Sequence, residues 1–390
     1  MTKRLYYSDS YLREFEAAVV DVRPDPARVY LDRTAFYPAS GGQPADSGLL
    51  GGAQVVDVVD EEDRIAHILE GPVPSGAVRG YLDWGRRFDH MQQHSGQHLL
   101  SATLHEVLGI ATLSFHLGSE ASTIDIEAPA LEATQAAEIE LAANRFVCEN
   151  RPIAISFEDS GADLHLRKPS ERTGPLRIIS IEGLDRSACG GTHVRSTGEI
   201  GPILIRKLDK MRGNVRVEFV CGLRAVRRAR ADLDTLSRIA RGFSAPLDET
   251  PELVEAQSAR LAEADKQRRK LVIELARRRG RELYEATQPG SRGLRLYEAR
   301  GTAAIDDETR TEAQAFVAGP AAAYLAASAS PPSLLLAVSD DAPLKAGETM
   351  KTLLARHGGR GGGNATIAQG SLPSAEALDR AVEELGALLR

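Results

Sequence analysis

His90, His94 and His98 recur every four residues, and His105 follows seven residues further on, so four of the chain's nine histidines sit in one short stretch. At that spacing side chains share one face of a helix. A helix rises about 1.5 Å per residue, which puts His90 and His98 about 12 Å apart, too far to ligate one ion together. A pair four residues apart can do so, which leaves either His90 with His94 or His94 with His98. Downstream, Cys189-Gly-Gly-Thr-His193 places two glycines between a cysteine and a histidine, so the backbone can turn both side chains toward one point. A thiolate together with imidazoles from the helix makes a tetrahedral zinc site. No glutamate lies between His94 and His98, so the HExxH metalloprotease pattern is absent.

The elements that must position these residues follow from periodicity. Residues 1–85 read as short strands and turns, with strands near Ala17–Val22, Arg28–Asp32 and Gln54–Val59, and form a β-rich N-terminal domain. The pattern predicts a helix from His90 to Val107, stopped by Gly109, with Leu99, Leu100, Leu104 and Leu108 on its apolar side. Strands near 122–126, 153–157, 177–181, 203–206 and 215–220 and a helix over 131–150 complete an α+β domain at 86–222, with the Cys189 turn between strands. Residues 223–287 are charged and Ala-rich and predict one or two long helices, a linker in which Val254, Leu261, Ala264, Leu271 and Leu275 recur at seven, three, seven and four. That spacing fits either a coiled-coil seam or a helical hairpin packed on itself. Residues 288–390 predict a small α/β domain, with strands at 294–297 and 333–338, helices around 308–327, 345–356 and 374–389, and a Gly-rich loop at Gly358–Gly363. The fold class is α+β.

At 390 residues the chain is too long for one small binding module, and with 42% hydrophobic and 26% charged residues it is globular rather than disordered. No apolar run approaches the roughly 18 residues of a membrane span, and Met1–Tyr7 has no signal-peptide core, so a cytoplasmic protein without a membrane partner is expected. Three cysteines make no disulfide framework. The net charge of −7 speaks against a nucleic-acid partner. Locally the balance reverses, with eleven Lys or Arg against four acids over 205–241 and eight against one over 266–281. Such blocks suit a polyanion, or simply solvated helix faces.

The string Thr34-Ala-Phe-Tyr-Pro-Ala-Ser-Gly-Gly-Gln-Pro-Ala-Asp-Ser-Gly, then His94-Ser-Gly-Gln-His-Leu-Leu, Ser114-Phe-His-Leu-Gly, Ala188-Cys-Gly-Gly-Thr-His-Val and Thr197-Gly-Glu-Ile-Gly resembles the freestanding AlaX-type alanyl-tRNA editing proteins. These are similar to the editing domain of alanyl-tRNA synthetase. The tail Gly358-Gly-Arg-Gly-Gly-Gly-Asn-Ala-Thr-Ile-Ala-Gln-Gly resembles the synthetase's C-terminal domain, which points to the long AlaX form. The resemblance implies His94, His98, Cys189 and His193 as zinc ligands and leaves His90 as a flank. Where the synthetase helix has alanine between the two histidines this chain has Gly96, which reads either as room for substrate backbone or as tolerated drift. Gly41-Gly-Gln43 also resembles the release-factor tripeptide, but its surroundings fit the editing family.

What the resemblance implies is a hydrolase that works in trans on Ser-tRNA(Ala), and on Gly-tRNA(Ala) with it. The bound zinc either activates water and polarises the ester carbonyl or holds the substrate's amino group. Sparing alanine requires a polar contact to the serine hydroxyl, because a site built to bond a hydroxyl discriminates by up to about 10⁴ to 10⁵. Thr34 is the first choice for that contact, with His116 and Thr192 beside it as further active-site residues and Gln43 as a substrate contact. Arg356, His357 and Arg360, with Gly361, Gly362 and Gly363, are expected near tRNA(Ala) phosphate. The seam predicts a homodimer through the helical linker or the C-terminal domain. Two other readings stand: a zinc-stabilised RNA-binding adaptor without catalysis, and an editing hydrolase for another mischarged tRNA.

Overall fold

Alternation puts Phe15 and Ala17, and Val78, Gly80 and Leu82, on the inward face of their strands and charged residues outward. The computed structural model describes residues 1–23, 27–160, 164–169 and 174–390. The early strands are β1 (Lys3–Arg4), β2 (Glu14–Arg23), β3 (Arg28–Leu31), β4 (Arg33–Thr34), β5 (Gly48–Leu50), β6 (Ala53–Glu61), β7 (Arg64–Glu70) and β8 (Ala77–Leu82). Six of them close into a barrel in the order β2-β3-β7-β6-β5-β8, while β1 pairs in parallel with β4. Closure leaves no free edge, and Phe15, Val29, Leu31, Phe36, Leu50, Val55 and Ile65 fill the interior.

Helix α1 (Trp84–Leu108) begins where the Asp83 carboxylate accepts the Arg86 N–H and ends at Gly109 in the left-handed conformation. Every residue from His90 to Leu104 is buried, so the helix is surrounded rather than amphipathic, and its polar side chains need partners. Gln93 finds them by pairing with both backbone groups of Cys221. Around α1 lie β9 (Thr112–Leu117), β10 (Ser122–Ile126), α2 (Ala133–Glu149), β11 (Ile153–Asp159), β12 (Pro175–Ile181), β13 (Asp185–Ala188), β14 (Ile203–Met211) and β15 (Asn214–Cys221). They form two antiparallel sheets, β14-β15-β10-β9 and β11-β12-β13. Met91, Leu99, Leu100, Ile124, Ile139, Ile179, Val217 and Phe219 share one core.

The expected helical segment is two helices, α3 (Gly222–Phe243) and α4 (Thr250–Ala286), separated by a short 3-10 turn at Leu247–Glu249. The chain forms two compact units, Met1–Ile239 and Ala240–Arg390, and the division between them falls in the sequence of α3. Of the apolar seam, Leu261 and Leu271 are 63% and 64% exposed. Among the described residues no helix is long and apolar enough to cross a membrane.

The second unit contains β16 (Arg295–Gly301), α5 (Asp307–Phe316), β17 (Ala322–Ala329), β18 (Pro332–Val338), α6 (Ala346–Arg356), β19 (Arg360–Gly363), β20 (Ile367–Ser371) and α7 (Ala375–Leu389). The sheet runs β16-β17-β18-β20-β19, parallel only between β16 and β17. Helices α6 and α7 cover one face, while α5 and the end of α4 cover the other. Two expectations are corrected here. The helix expected over 308–327 stops at Phe316, because Ala-rich 322–329 is a central strand buried on both faces, where small side chains admit helices above and below. The Gly-rich segment is no loop: Arg360–Gly363 is an edge strand paired with β20.

Candidate metal centre

Helix α1 presents His94 and His98 one turn apart, and the turn after β13 brings Cys189 and His193 against them. The four donor atoms all lie within 4.8 Å of one another. The Cys189 sulfur is 3.4 Å from His94 Nε2 and 3.3 Å from His193 Nε2. Donors around a tetrahedral zinc ion, with bonds of about 2.0 to 2.3 Å, stand about 3.5 Å apart, so this set fits such an ion in chemistry and in size. His90 is outside the cluster, to which helix α1 contributes His94 and His98.

Each imidazole is held from behind at Nδ1, which turns Nε2 inward. His94 Nδ1 donates to Gln43 Oε1 at 2.8 Å, His98 Nδ1 to Asp185 Oδ2 at 3.3 Å, and His193 Nδ1 lies 3.1 Å from Ser95 Oγ. The holders are themselves held. Gln43 accepts the Thr192 N–H and donates to the Thr192 hydroxyl; Asp185 accepts from Arg167 at 2.7 Å; Ser95 accepts the Val194 N–H. Such outer contacts set tautomer and ring orientation at metal sites.

Burial opposes charge throughout the cluster, and the contacts decide where charge persists. For His98, burial is outweighed by Asp185 and Cys189, which lift it to about 9. Asp185, which burial alone would raise, is lowered to about 2 by His98 and Arg167. Burial, with His94 beside it, lowers His193 to about 3. The Cys189 thiol, despite its burial, is held well below its ordinary value by His94 and His193. A metal takes its thiolate and imidazole donors deprotonated, so binding here is coupled to proton release.

Two cavities meet at Cys189. One, of about 600 Å³, reaches His98, Phe115, Arg167 and Lys168; the other, of about 450 Å³, reaches His94, Tyr7, Tyr37, Phe115 and Arg177. The three histidines are buried, whereas the cysteine faces both spaces.

The other expected residues are dispersed. Thr34 is fully buried: its hydroxyl lies 2.8 Å from His67 Nε2 and accepts the Phe36 N–H. His67 Nδ1 must donate to the Val29 carbonyl at 2.9 Å, so Nε2 accepts and the Thr34 hydroxyl proton points to it. Thr192 and Gln43 are buried supports of His94. His116 is exposed on β9 and lines neither cavity. Arg356 and His357 both pair with Glu384, while Arg360, Gly361, Gly362 and Gly363 are exposed. The room expected at Gly96 is filled, since a Cβ there would overlap the buried Cys221 sulfur. Sequence reasoning missed Ser95, Asp185, Arg167 and His67. Ser95 adjoins a ligand in sequence; the others carry no spacing signal, because folding alone brings them to the site. It also missed Arg177, whose guanidinium donates to the Cys189 carbonyl at 2.6 Å.

A β-barrel and an α+β unit thus enclose a buried His/Cys cluster where two cavities meet. Residues 176–218, which include Cys189 and His193, match the threonyl and alanyl tRNA synthetase second additional domain, and residues 318–390 match the DHHA1 domain. The chain is 31% identical to the alanyl-tRNA editing protein AlaX-L of Pyrococcus horikoshii, across 99% of this chain and 98% of that protein. It belongs to the AlaX family of alanyl-tRNA editing proteins. It is also 39% identical to AlaX-M of Methanosarcina acetivorans, over 56% of this chain and 98% of that one. With the alanine–tRNA ligase of Pyrococcus abyssi it shares 31% identity over 100% of its own length and 44% of the ligase.

Proposed function

We propose that the protein deacylates mischarged Ser-tRNA(Ala) in trans, and Gly-tRNA(Ala) with it, with a zinc ion on His94, His98, Cys189 and His193. Membership of the alanyl-tRNA editing family makes it an aminoacyl-tRNA deacylase, an ester hydrolase. The observation that carries the finer reading is the convergence of four metal-type donors, braced from behind, where two cavities meet. A zinc ion there supplies Lewis-acid polarisation of the ester carbonyl and a lowered pKa for water. The chain's own part is orientation: Gln43 with Thr192, Ser95, and Asp185 with Arg167 keep the three Nε2 atoms pointed inward.

Thr34 is our choice for reading the serine. Its proton is committed to His67 and one lone pair to the Phe36 N–H, so the remaining lone pair can accept only from a donor, which serine has and alanine lacks. In the second unit Arg360 and the outer side of the β19 hairpin meet tRNA(Ala). The exposed seam on α4 joins a second copy of the chain. The protein works in the cytoplasm, where charged tRNA is used.

The test is deacylation of serine-, glycine- and alanine-charged tRNA(Ala) and of serine-charged tRNA(Thr) by the purified protein. Cleavage of the first two with alanine spared is expected. Cleavage of Ser-tRNA(Thr) instead would assign another tRNA, and zinc retention without any cleavage would make the protein an RNA-binding adaptor. Thr34→Val is expected to lower the ratio of serine to glycine release about tenfold or more while zinc is retained. An unchanged ratio removes Thr34 from substrate reading.

A further inference from the structure

His90 is the member of the histidine series that the metal cluster does not use. It is 4% exposed, and its Nδ1 is buried without a hydrogen-bond partner; the same is true of Oε1 of nearby Gln92. Both residues line a cavity of about 680 Å³ at the start of α1, together with Trp84, Phe88, Arg86 and Arg227. That volume lies within the range of small-molecule sites. Its lining shares no residue with either cavity at Cys189.

The lining has a distinct chemistry. Trp84 and Phe88 are half-buried and near-stacked, with ring centroids 5.6 Å apart and planes tilted by 32°. Arg13 lies over the Trp84 ring at 4.2 Å. Asp89 is the acidic residue of the lining, and Arg224 takes its carboxylate through contacts of 2.8, 3.0 and 2.6 Å. No carboxylate in the lining is then left for Arg86 and Arg227, both of which are exposed. Burial, with Arg86 nearby, lowers His90 to about 4, so its ring is neutral and offers one donor and one acceptor. Arg86 donates its Nε to the Ala45 carbonyl at 2.9 Å, which leaves its charge without a carboxylate partner. Aromatic faces, guanidinium groups that no carboxylate neutralises and a neutral polar edge are what a stacked base with its phosphate requires.

We propose that this cavity binds one nucleotide of an RNA strand, with the base against Trp84 and Phe88, its edge at His90, and the phosphate at Arg86 and Arg227. His90 is one helical turn, about 6 Å, from ligand His94, and Pro44 of the lining adjoins Gln43. The bound nucleotide is therefore a neighbour of the ester site and not its occupant. The choice of an RNA strand over a free nucleotide rests on the editing reading; the nucleotide chemistry does not.

Trp84 is the single tryptophan of the sequence, so its fluorescence reports on this cavity alone. The zinc-loaded full-length protein is titrated with 5′-AMP, 5′-CMP, adenosine, inorganic phosphate, and a tRNA(Ala) transcript lacking its terminal CCA. Saturable quenching by the two monophosphates is expected, with adenosine and phosphate each about tenfold weaker, and the transcript tighter than either monophosphate. Arg227→Glu, on an exposed side chain, and His90→Phe should each weaken quenching about tenfold, with zinc content unchanged. Quenching by monophosphates but not by the transcript overturns the RNA assignment. No saturable quenching by any probe, or quenching indifferent to Arg227→Glu, overturns the site itself. Because nothing is cleaved in this experiment, a protein inactive on every charged tRNA can still pass it.

Discussion

Glycine serves opposite ends in the two units. At the His/Cys cluster, a Cβ on Gly191 would overlap the His94 ring and come within 2.9 Å of Gln43 Oε1, so the residue is bare in order to let His94 and its brace sit against the backbone. In the β19 hairpin, a Cβ on Gly361 or Gly363 would collide with backbone of β20, and one on Gly361 would also come within 2.8 Å of Leu354 on α6. Both are small so that β20 can lie against them, and Gly361 also lets the helix close over the hairpin. A Cβ on Gly362 meets nothing within 4 Å. A run of glycines that reads as one feature is thus mostly packing, and only its outward member offers bare backbone to a partner. The cations differ in the same way: Arg356 is occupied by Glu384, whereas Arg360 is exposed. Chemistry is concentrated where every side chain is braced, and recognition is left to the few groups that are not.

The largest expected effect on this contrast comes from Cys189→Ala. Zinc content should fall to near zero and deacylation by more than the roughly 10- to 100-fold typical of losing an outer-shell contact. Metal analysis showing full stoichiometry would remove Cys189 from the centre. Next in size is Gly191→Ala, expected to lower zinc affinity about 10- to 100-fold by displacing His94. Gly362→Ala is its counterpart and should leave both zinc affinity and melting temperature unchanged. Equal effects of the two would break the comparison.

Removal of the second unit tests the other half. The medium-length relative is accounted for by 56% of this chain, which supports independent folding of a protein ending at Ile239. It should keep its zinc and cleave slowly, with weaker tRNA affinity and a shallower dependence of binding on salt, since fewer phosphates are neutralised. The same salt slope as the full chain would show that the hairpin and α4 do not carry RNA.

The smallest effect is on stability against pH. Burial lowers His67 to about 4, against about 6.5 unfolded, so between those values the unfolded chain binds more protons. Stability is therefore highest above pH about 6.5 and is lost as pH falls toward 4, by an amount of order 3 kcal/mol for this one group. His67→Gln should flatten the decline of melting temperature over that window. His90, with the same direction of shift, leaves a residual slope.

Local regularity made much of this legible. The helix carrying His94 and His98, the turn at Cys189–His193, and the strands at 122–126, 153–157 and 177–181 all follow from spacing and turn residues that act within a few positions. The misreadings came where context reverses propensity. Ala322–Ala329 has the composition of a helix and becomes a strand because it lies in the middle of a sheet with helices on both faces. The Arg360–Gly363 backbone, read from its glycines as a loop, pairs as a strand because β20 offers a partner.

The sequence by itself determined which atoms can bind a metal and on which element each sits, since donor type and helical or turn spacing are local properties. Only the tertiary structure decided that His98 rather than His90 joins His94 in the cluster, that Asp185, Gln43 and Ser95 stand behind the three imidazoles, and that Thr34 turns its proton to His67. Those choices depend on distances between segments far apart in the chain, and burial makes each contact obligatory by removing the water that would otherwise satisfy it.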